Sequence, residues 1–402
     1  MAAIHKGWML CFLGWALVSP SYGEEFFFKH GAGDKYRILS TVHEYVYVDR
    51  QLSHRSEILN RIAVTVLEEQ NGNARHQGVF QTAERSEELA GSQSFQWARE
   101  YESVFNRDRQ GHITIDKRYY MPVVRNVPVF PQRELKIGET WTAEGHEMHD
   151  FRDTFGIQDP YRIPFTANYA YLGPRIWRNK EYPAVSVSYR IFYEPPAVSG
   201  KLWPLRIMGA SDQVLYWDFV LGQSRAYEEN FRLVIELSNG MTVEYRGTAE
   251  AEILASEIMD KGQVADEIKG DLDRLGIEDT SVRIDDAGVT LSLENIQFDA
   301  DSAALLPTEK AKLDKIGEIL RRYPNRDILI GGHTALAGTA AGRMRLSQQR
   351  AAAVADYLIG NKVRTAERIV TRGFGAERPL AENATEAGKR INRRVEITIL
   401  EN

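Results

Sequence analysis

The chain has 402 residues, 43% of them hydrophobic and 26% charged, which is enough apolar material for two or three folded domains. Its net charge of −6 is mild and negative, so the composition argues against a protein that coats nucleic acid, and we expect no nucleic-acid partner. The single cysteine, Cys11, excludes an internal disulfide and a cysteine-based metal site.

Residues 1–23 have the pattern of a secretory signal peptide. A basic start precedes the apolar run Trp8–Val18, and Ser21 and Gly23 provide small side chains just before a cleavage site. We expect cleavage after Gly23 and export to the periplasm, where association with the outer membrane is also considered. Because Cys11 lies inside the apolar run, we do not expect a lipoprotein anchor. No later segment has about 18 consecutive apolar residues, so we expect no helical membrane span.

Residues 24–254 are predicted to form one or more β-rich domains. Apolar and polar side chains alternate in Tyr36–Val48 and in several later segments, which is the period of a half-buried strand. The dipeptide Asn239-Gly240 lies between two such segments and favours a type I′ hairpin turn. Ten of the 14 prolines lie between Pro122 and Pro204. Since proline cannot donate to a sheet ladder, residues 122–204 are predicted to be loops and edge strands.

Two features of this region could be taken for ligand-binding sites. The tryptophans could line a cavity for an apolar molecule, although core packing is the default interpretation. They are Trp97, Trp141, Trp177, Trp203 and Trp217. The pair His146 and His149 is three residues apart, not the four of a helical zinc site, so we expect no bound metal.

The period changes at residue 255. Apolar residues from Ile258 to Leu275 recur at helical spacing, and Gly276 is predicted to end the helix. Residues 255–287 are therefore predicted to be a helical connector.

Residues 288–402 alternate between strand and helix, which predicts an α/β sandwich with helices packed on one mixed sheet. The predicted elements are a strand at Val289–Phe298, a helix at Thr308–Tyr323, a strand at Asp327–Gly332, a helix at Leu346–Ile359, and strands at Arg368–Phe374 and Arg394–Leu400.

Five motifs in this part occur in the order of a known family. They are Asn295–Ala303, Gly332–Thr334, Leu346–Ala351, Gly373–Pro379 and Asn392–Ile397. Together they resemble the OmpA C-terminal (OmpA/MotB-like) domain. The resemblance implies a bacterial envelope protein whose partner is peptidoglycan, bound at the diamino acid of the stem peptide.

The resemblance also implies a pocket, and the sequence departs from it. The family's Gly-His-Thr is followed by an aspartate that, with a helix arginine, binds the ammonium and carboxylate of the ligand. Here Thr334 is followed by Ala335, the arginine is Arg350, and Arg343 replaces a usual asparagine. Arg394 is a further pocket position by the same match. We expect affinity for peptidoglycan to fall by at least about tenfold.

No catalytic motif or cofactor loop is present, so we predict a structural protein without enzymatic activity and without a cofactor. His333 is interpreted as a structural residue. The sequence leaves two other functions open. One is a periplasmic module that binds lipid or protein through the β-rich domain, and the other is an outer-membrane β-barrel anchored to peptidoglycan.

Overall fold

The computed structural model describes residues 23–85, 92–197, 202–255, 259–294 and 303–401. The predicted signal peptide lies outside these ranges except for Gly23, and so does most of the Asn295–Ala303 motif.

Residues 24–255, here called the β region, contain one continuous run of antiparallel strands. The strands are β1 (Lys35–Val48), β2 (Gln51–Gln70), β3 (Asn73–Arg85), β4 (Phe95–Arg107), β5 (Ile113–Ile115), β6 (Val124–Arg125), β7 (Thr140–His149), β8 (Tyr161–Trp177), β9 (Lys180–Tyr193), β10 (Pro204–Asp218), β11 (Gln223–Leu237) and β12 (Thr242–Ala255). A four-residue helix, α1 (Arg152–Phe155), follows β7. The order across the sheet is β5-β4-β3-β2-β1-β12-β11-β10-β9-β8-β7-β6.

The β11–β12 hairpin forms where Asn239-Gly240 predicts it, but its turn is not of type I′. Gly240 has a φ of 87°, whereas Asn239 is not among the residues with positive φ. The turn is closed by the Leu237 N–H donating to the Met241 carbonyl at 2.8 Å. Glycine alone therefore supplies the left-handed conformation of this turn.

The prediction of loops across residues 122–204 is wrong for most of that stretch, because β7, β8 and β9 lie within it. The prolines inside these strands lie where one neighbour is missing. Pro164 pairs with β7, whereas the β8–β9 pairing begins only at Asn168. Pro174 faces Pro183 in the part of β8 beyond the end of β7. A strand with one open side can accommodate a residue that has no amide donor, so the edge-strand part of the prediction applies locally.

Aromatic side chains fill the core of the β region. Phe26, ahead of the first strand, packs against the rings of Phe130, Tyr171 and Trp217 with centroid distances of 5.2, 5.0 and 6.0 Å. Trp217 is 1% exposed. The burial of Phe26 among these rings anchors the segment before β1 in the core of the β region.

Residues 259–401, here called the C-terminal domain, form helices packed on a mixed sheet. The elements are α2 (Lys261–Leu275), β13 (Thr280–Asp285), β14 (Gly288–Glu294), α3 (Pro307–Arg321), β15 (Ile328–Gly332), α4 (Ala340–Gly360), β16 (Ile369–Gly373), α5 (Glu386–Asn392) and β17 (Arg394–Leu400). The strand order is β13-β14-β17-β15-β16, with β15 and β16 parallel. No helix in the described ranges is both long enough and apolar enough to cross a membrane.

The prediction of a connector at 255–287 is wrong. Helix α2 does form and ends at Gly276, which has a φ of 59°. Its residues Ile268 and Leu272, however, are buried in the main core of the C-terminal domain, and β13 pairs along its length with β14. The segment is the first helix and first strand of that domain, because its apolar stripe is covered by the domain's own sheet and helices.

The β region and the C-terminal domain meet at a joint, which we define by strands β4 and β16 and by Asp327. Phe95 and Val370 pair in parallel, so β4 extends the sheet of the C-terminal domain. Asp327, just before β15, is fully buried and accepts hydrogen bonds from Arg37 at 2.8 Å and from Arg61. The two structural units are therefore connected by a strand pairing and by ion pairs to one buried carboxylate.

Candidate functional site

The candidate site lies where β15 ends and α4 begins. After Gly332 the chain passes through residues 333–339 into α4, whose N-cap Thr339 accepts a hydrogen bond from the Gly342 N–H at 3.1 Å. A Cβ on Gly332 would lie 2.0 Å from the carbonyl oxygen of Ser347, so only glycine allows α4 to pack this closely on β15. This contact sets the position of the first turns of α4 relative to the loop.

The loop is tethered to a second segment of the chain. The Thr334 N–H donates to the Gly375 carbonyl at 2.8 Å, and the Leu336 N–H donates to Asn383 Oδ1 at 2.9 Å. Asn383 is in turn bound by the side chain of Asn392 at 3.1 Å. The loop geometry therefore depends on two asparagines that the sequence reasoning did not single out. Their only sequence signal is the place of Asn392 in the last family motif.

Ala335 is buried, with 5% of its surface exposed, so its methyl group faces protein. The hydroxyl oxygen of Thr334 beside it is buried and has no hydrogen-bond partner among the described residues. The next residue, Leu336, is 58% exposed. At the position where the resemblance places an aspartate, the chain thus carries a buried methyl group and no carboxylate.

Arg343 and Arg350 both lie on α4, seven residues apart. Seven residues are close to two full turns, so the two side chains leave the same face of the helix about 10 Å apart along its axis. Both are partly exposed. The Arg343 guanidinium donates to the carbonyl of Gly338 at 2.5 Å, which ties it to the loop. The face therefore carries two cations where the resemblance implies one.

Arg394 lies beside the start of the loop, where its carbonyl accepts a hydrogen bond from the His333 N–H at 3.0 Å. Its side chain is 2% exposed and donates to Glu396 at 2.8 Å and to the carbonyl of Arg378 at 2.9 Å. Glu396 also accepts two hydrogen bonds of 2.8 Å from Arg283, and its carboxylate lies 3.3 Å from His333 Nε2. These contacts place Arg394 and His333 in a buried charged cluster behind the loop.

The protonation of this cluster follows from its surroundings. Burial by itself would raise the pKa of Glu396, but the contact with His333, the hydrogen bonds from Arg283 and the charge of Arg394 hold that pKa well below its usual range. Burial lowers the pKa of His333. Glu396 is therefore a permanent anion inside the domain, and the cluster has the character of a structural network.

The two histidines near the end of β7 are not brought together. They are three positions apart on a strand, so they point to opposite faces of the sheet. His149 lies 2.7 Å from Glu147, whereas His146 lies 3.4 Å from Arg162 on the other face. In the part of the chain that the structure describes, no group of three or more potential metal-ligating side chains is found.

The tryptophans are mostly core residues. Trp141 stacks on Tyr169 with a centroid distance of 5.0 Å, and Trp177 and Trp217 are buried. Trp97 packs at the joint, where the Arg372 guanidinium lies 5.2 Å from its ring centroid. Trp203 donates its backbone N–H to Ser238.

The C-terminal domain is similar in sequence to domains of known proteins. A family model described as the OmpA family matches residues 297–393. The probable lipoprotein YiaD of Escherichia coli is 44% identical over 105 residues, which are 26% of this chain and 48% of YiaD. The peptidoglycan-binding protein ArfA of Mycobacterium tuberculosis is 38% identical over 104 residues, which are 26% of this chain and 32% of ArfA. The chain spans less than half the length of either relative.

Among solved structures, an outer membrane protein from Borrelia burgdorferi B31 is 36% identical, with a TM-score of 0.25. The match covers 30% of this chain and 96% of that protein.

Proposed function

Because residues 297–393 are a domain of the OmpA family, we propose that the protein is a non-enzymatic structural protein of the bacterial cell envelope. In this proposal the C-terminal domain contacts peptidoglycan through the loop at residues 333–339 and the first two turns of α4. Support comes from relatives such as ArfA, whose name states that it binds peptidoglycan. We place the protein in the periplasm, with its β region held on the C-terminal domain by the joint.

The proposal depends on the absence of a carboxylate at position 335, where this chain has alanine. A ligand group with both an ammonium and a carboxylate needs an acceptor and a donor. Among the described residues of the site, Arg343 and Arg350 carry donors, whereas Ala335 carries no acceptor on its side chain. The missing acceptor removes a charge-assisted hydrogen bond, which is worth about 1.5–3 kcal/mol. We therefore propose that the protein contacts the wall weakly, at least about tenfold below a family member that has the aspartate.

Two contacts between the β region and the C-terminal domain lie away from the proposed wall contact. Asp327 lies at the start of β15 and Thr334 follows its end, so the buried salt bridges and the loop are about 23 Å apart along an extended chain. A second contact between the two units is made by Asp356, near the end of α4, whose carboxylate accepts a hydrogen bond from the Gln93 N–H at 2.8 Å. Both contacts lie at the end of the C-terminal domain opposite to the loop.

Restoring the acceptor tests the proposal. The full chain and its Ala335→Asp variant would be incubated with purified sacculi and sedimented, and the bound fraction measured as a function of sacculus concentration. We expect Ala335→Asp to lower the apparent Kd by about tenfold.

The control is Ala337→Asp, which adds the same charge at an exposed position of the same loop and should leave binding unchanged. Adding Arg350→Met to Ala335→Asp should abolish the gain. If Ala335→Asp binds no better than the unchanged chain, or if Ala337→Asp gains equally, the wall-binding proposal fails.

A further inference from the structure

The sheet of the β region curves around a cavity of about 720 Å³. Residues from β1 to β4, from β7 and from β9 to β12 line it together, so its wall is built by both halves of the sheet. Its volume lies within the range of sites that hold small molecules in proteins. The aromatic residues of the wall are tyrosines, phenylalanines and His149, and none of the tryptophans in the described ranges lines it.

Carboxylates occupy inward positions of this wall. On β11 every second residue faces the cavity, and Glu229 lies between Tyr227 and Phe231 in that row. On β1 the same alternation places Glu44 two residues after Val42. A carboxylate in an apolar row is costly to bury, so its inward position is not explained by packing.

A third carboxylate, Glu147 on β7, is brought next to Glu229 by the pairing of β9 with β10. Tyr189 and Ser211 are directly opposite each other in that pairing. The Tyr189 hydroxyl donates to Glu147 at 2.7 Å, and the Ser211 hydroxyl donates to Glu229 at 2.6 Å. The two anions are thus held at adjacent positions of one wall, each with a hydroxyl donor.

The two arginines of the wall are already paired at its rim. Arg99 lies 2.9 Å from Asp153, and Arg232 lies 2.9 Å from Glu244, with both arginine side chains more than half exposed. Within the described ranges, neither Glu44 nor Glu229 has a basic side chain at ion-pair distance. Burial raises the pKa of Glu44 to about 7, and burial next to Glu147 raises the pKa of Glu229. Glu147 differs from these two, because it lies 2.7 Å from Nε2 of His149, which also lines the cavity. In the described part of the chain, the inner carboxylates therefore outnumber the basic side chains beside them.

We propose that this cavity binds an organic cation, namely a primary or quaternary ammonium group attached to an apolar or aromatic body. The ammonium would lie between Glu147 and Glu229 and the faces of the neighbouring tyrosines, which attract cations through their π systems. The apolar body would contact the side chains of Ile62, Phe80 and Ile191. Anionic amphiphiles such as fatty acids are disfavoured, because their head group would meet the same carboxylates.

The test uses the full chain and three fluorescent probes. Dansylcadaverine carries a primary amine, its N-acetyl derivative is neutral, and dansylundecanoate is anionic. We expect saturable binding of dansylcadaverine, binding of the acetylated probe that is at least about tenfold weaker, and the weakest binding for the carboxylate. This comparison needs no variant, so it does not depend on the folding of a mutant.

Substitutions of single carboxylates then test which residues bind the amine of the probe. Glu229→Gln keeps acceptors for Ser211 but loses the charge, and we expect an affinity for dansylcadaverine about tenfold lower. Glu44→Gln should act in the same direction. The matched control is Glu228→Gln, on the outer face of the same strand, where the residue accepts from Tyr216 at 3.0 Å. Equal binding of amine and acetylated probes, no binding of either, or tighter binding of dansylundecanoate would overturn the proposal. None of these results bears on the binding of peptidoglycan by the C-terminal domain.

Discussion

Replacing Asp327 by asparagine would remove the charge on which the joint depends. The carboxylate is fully buried and lies 2.8 Å from the Arg37 guanidinium and 3.2 Å from that of Arg368. Arg61, itself 7% exposed, has Asp327 as its hydrogen-bond partner in the described part of the chain. Two of these three arginines belong to β1 and β2, so the substitution acts on both structural units at once.

The size of the effect follows from burial. Removing one partner of a buried ion pair leaves the other charge uncompensated and typically costs about 3–5 kcal/mol. Asparagine keeps the shape of the side chain and one acceptor, so we expect a value of about 3 kcal/mol, near the lower end of that range. Part of this cost is relieved if the β region moves off the C-terminal domain, because Arg37 and Arg61 then reach water.

The assay is hydrogen exchange of the full chain followed by mass spectrometry of peptides from the joint. Exchange should accelerate at residues 92–97 and 369–373, which contain the β4–β16 pairing, and urea unfolding should begin at a lower concentration. Glu386→Gln, which removes an exposed ion pair far from the joint, is the control. If Asp327→Asn leaves both exchange and unfolding unchanged, the buried charge does not hold the units together and the reasoning is wrong.

Two further substitutions test the packing and the pH response. Gly332→Ala forces a Cβ against the Ser347 carbonyl, so we expect the urea stability of the C-terminal domain to fall by about 1–3 kcal/mol, whereas Gly360→Ala, where a Cβ meets nothing within 4 Å, should not destabilise it. Burial and the charge of Arg107 lower the pKa of His76 to about 3, so its folded-state pKa lies below the unfolded value of about 6.5. The stability that this neutral histidine contributes is present above pH 6.5 and is lost as the pH falls toward 3, at about 1.4 kcal/mol per pH unit. Urea unfolding at pH 7 and pH 5 should therefore show a smaller loss for His76→Gln than for the unchanged chain, and an equal loss would contradict this assignment.

The C-terminal domain could be predicted from sequence because its signals are local. The helix that ends before Pro324 and the strand that ends at Gly332 follow from periodicity and from residues that interrupt it. The motif order gave the family, and the identity of residue 335 is the basis of the proposal that the pocket is altered. Each of these inferences needs only residues that are close together in the chain.

The role of α2 could not be predicted in the same way. The apolar residues Ile268 and Leu272 show that one face of α2 is buried. Periodicity does not indicate which elements of the chain cover that face. The partner is the sheet and helices of the C-terminal domain, which follow along the chain. The tolerance of Pro164 inside β8 is a similar case, because it depends on where β9 begins to pair.

The sequence by itself determined the alternation of strands and helices from α3 to β17, the family of residues 297–393, and the absence of a carboxylate at Ala335. Only the tertiary structure decided how the parts are joined and what they enclose. Asp327 meets Arg61 across 266 residues, and the inward row of Glu229 becomes a cavity wall only when the sheet curves. The physical reason is that an alternating pattern records which side of a strand is buried, whereas the pairing of distant strands determines which charges share that buried space.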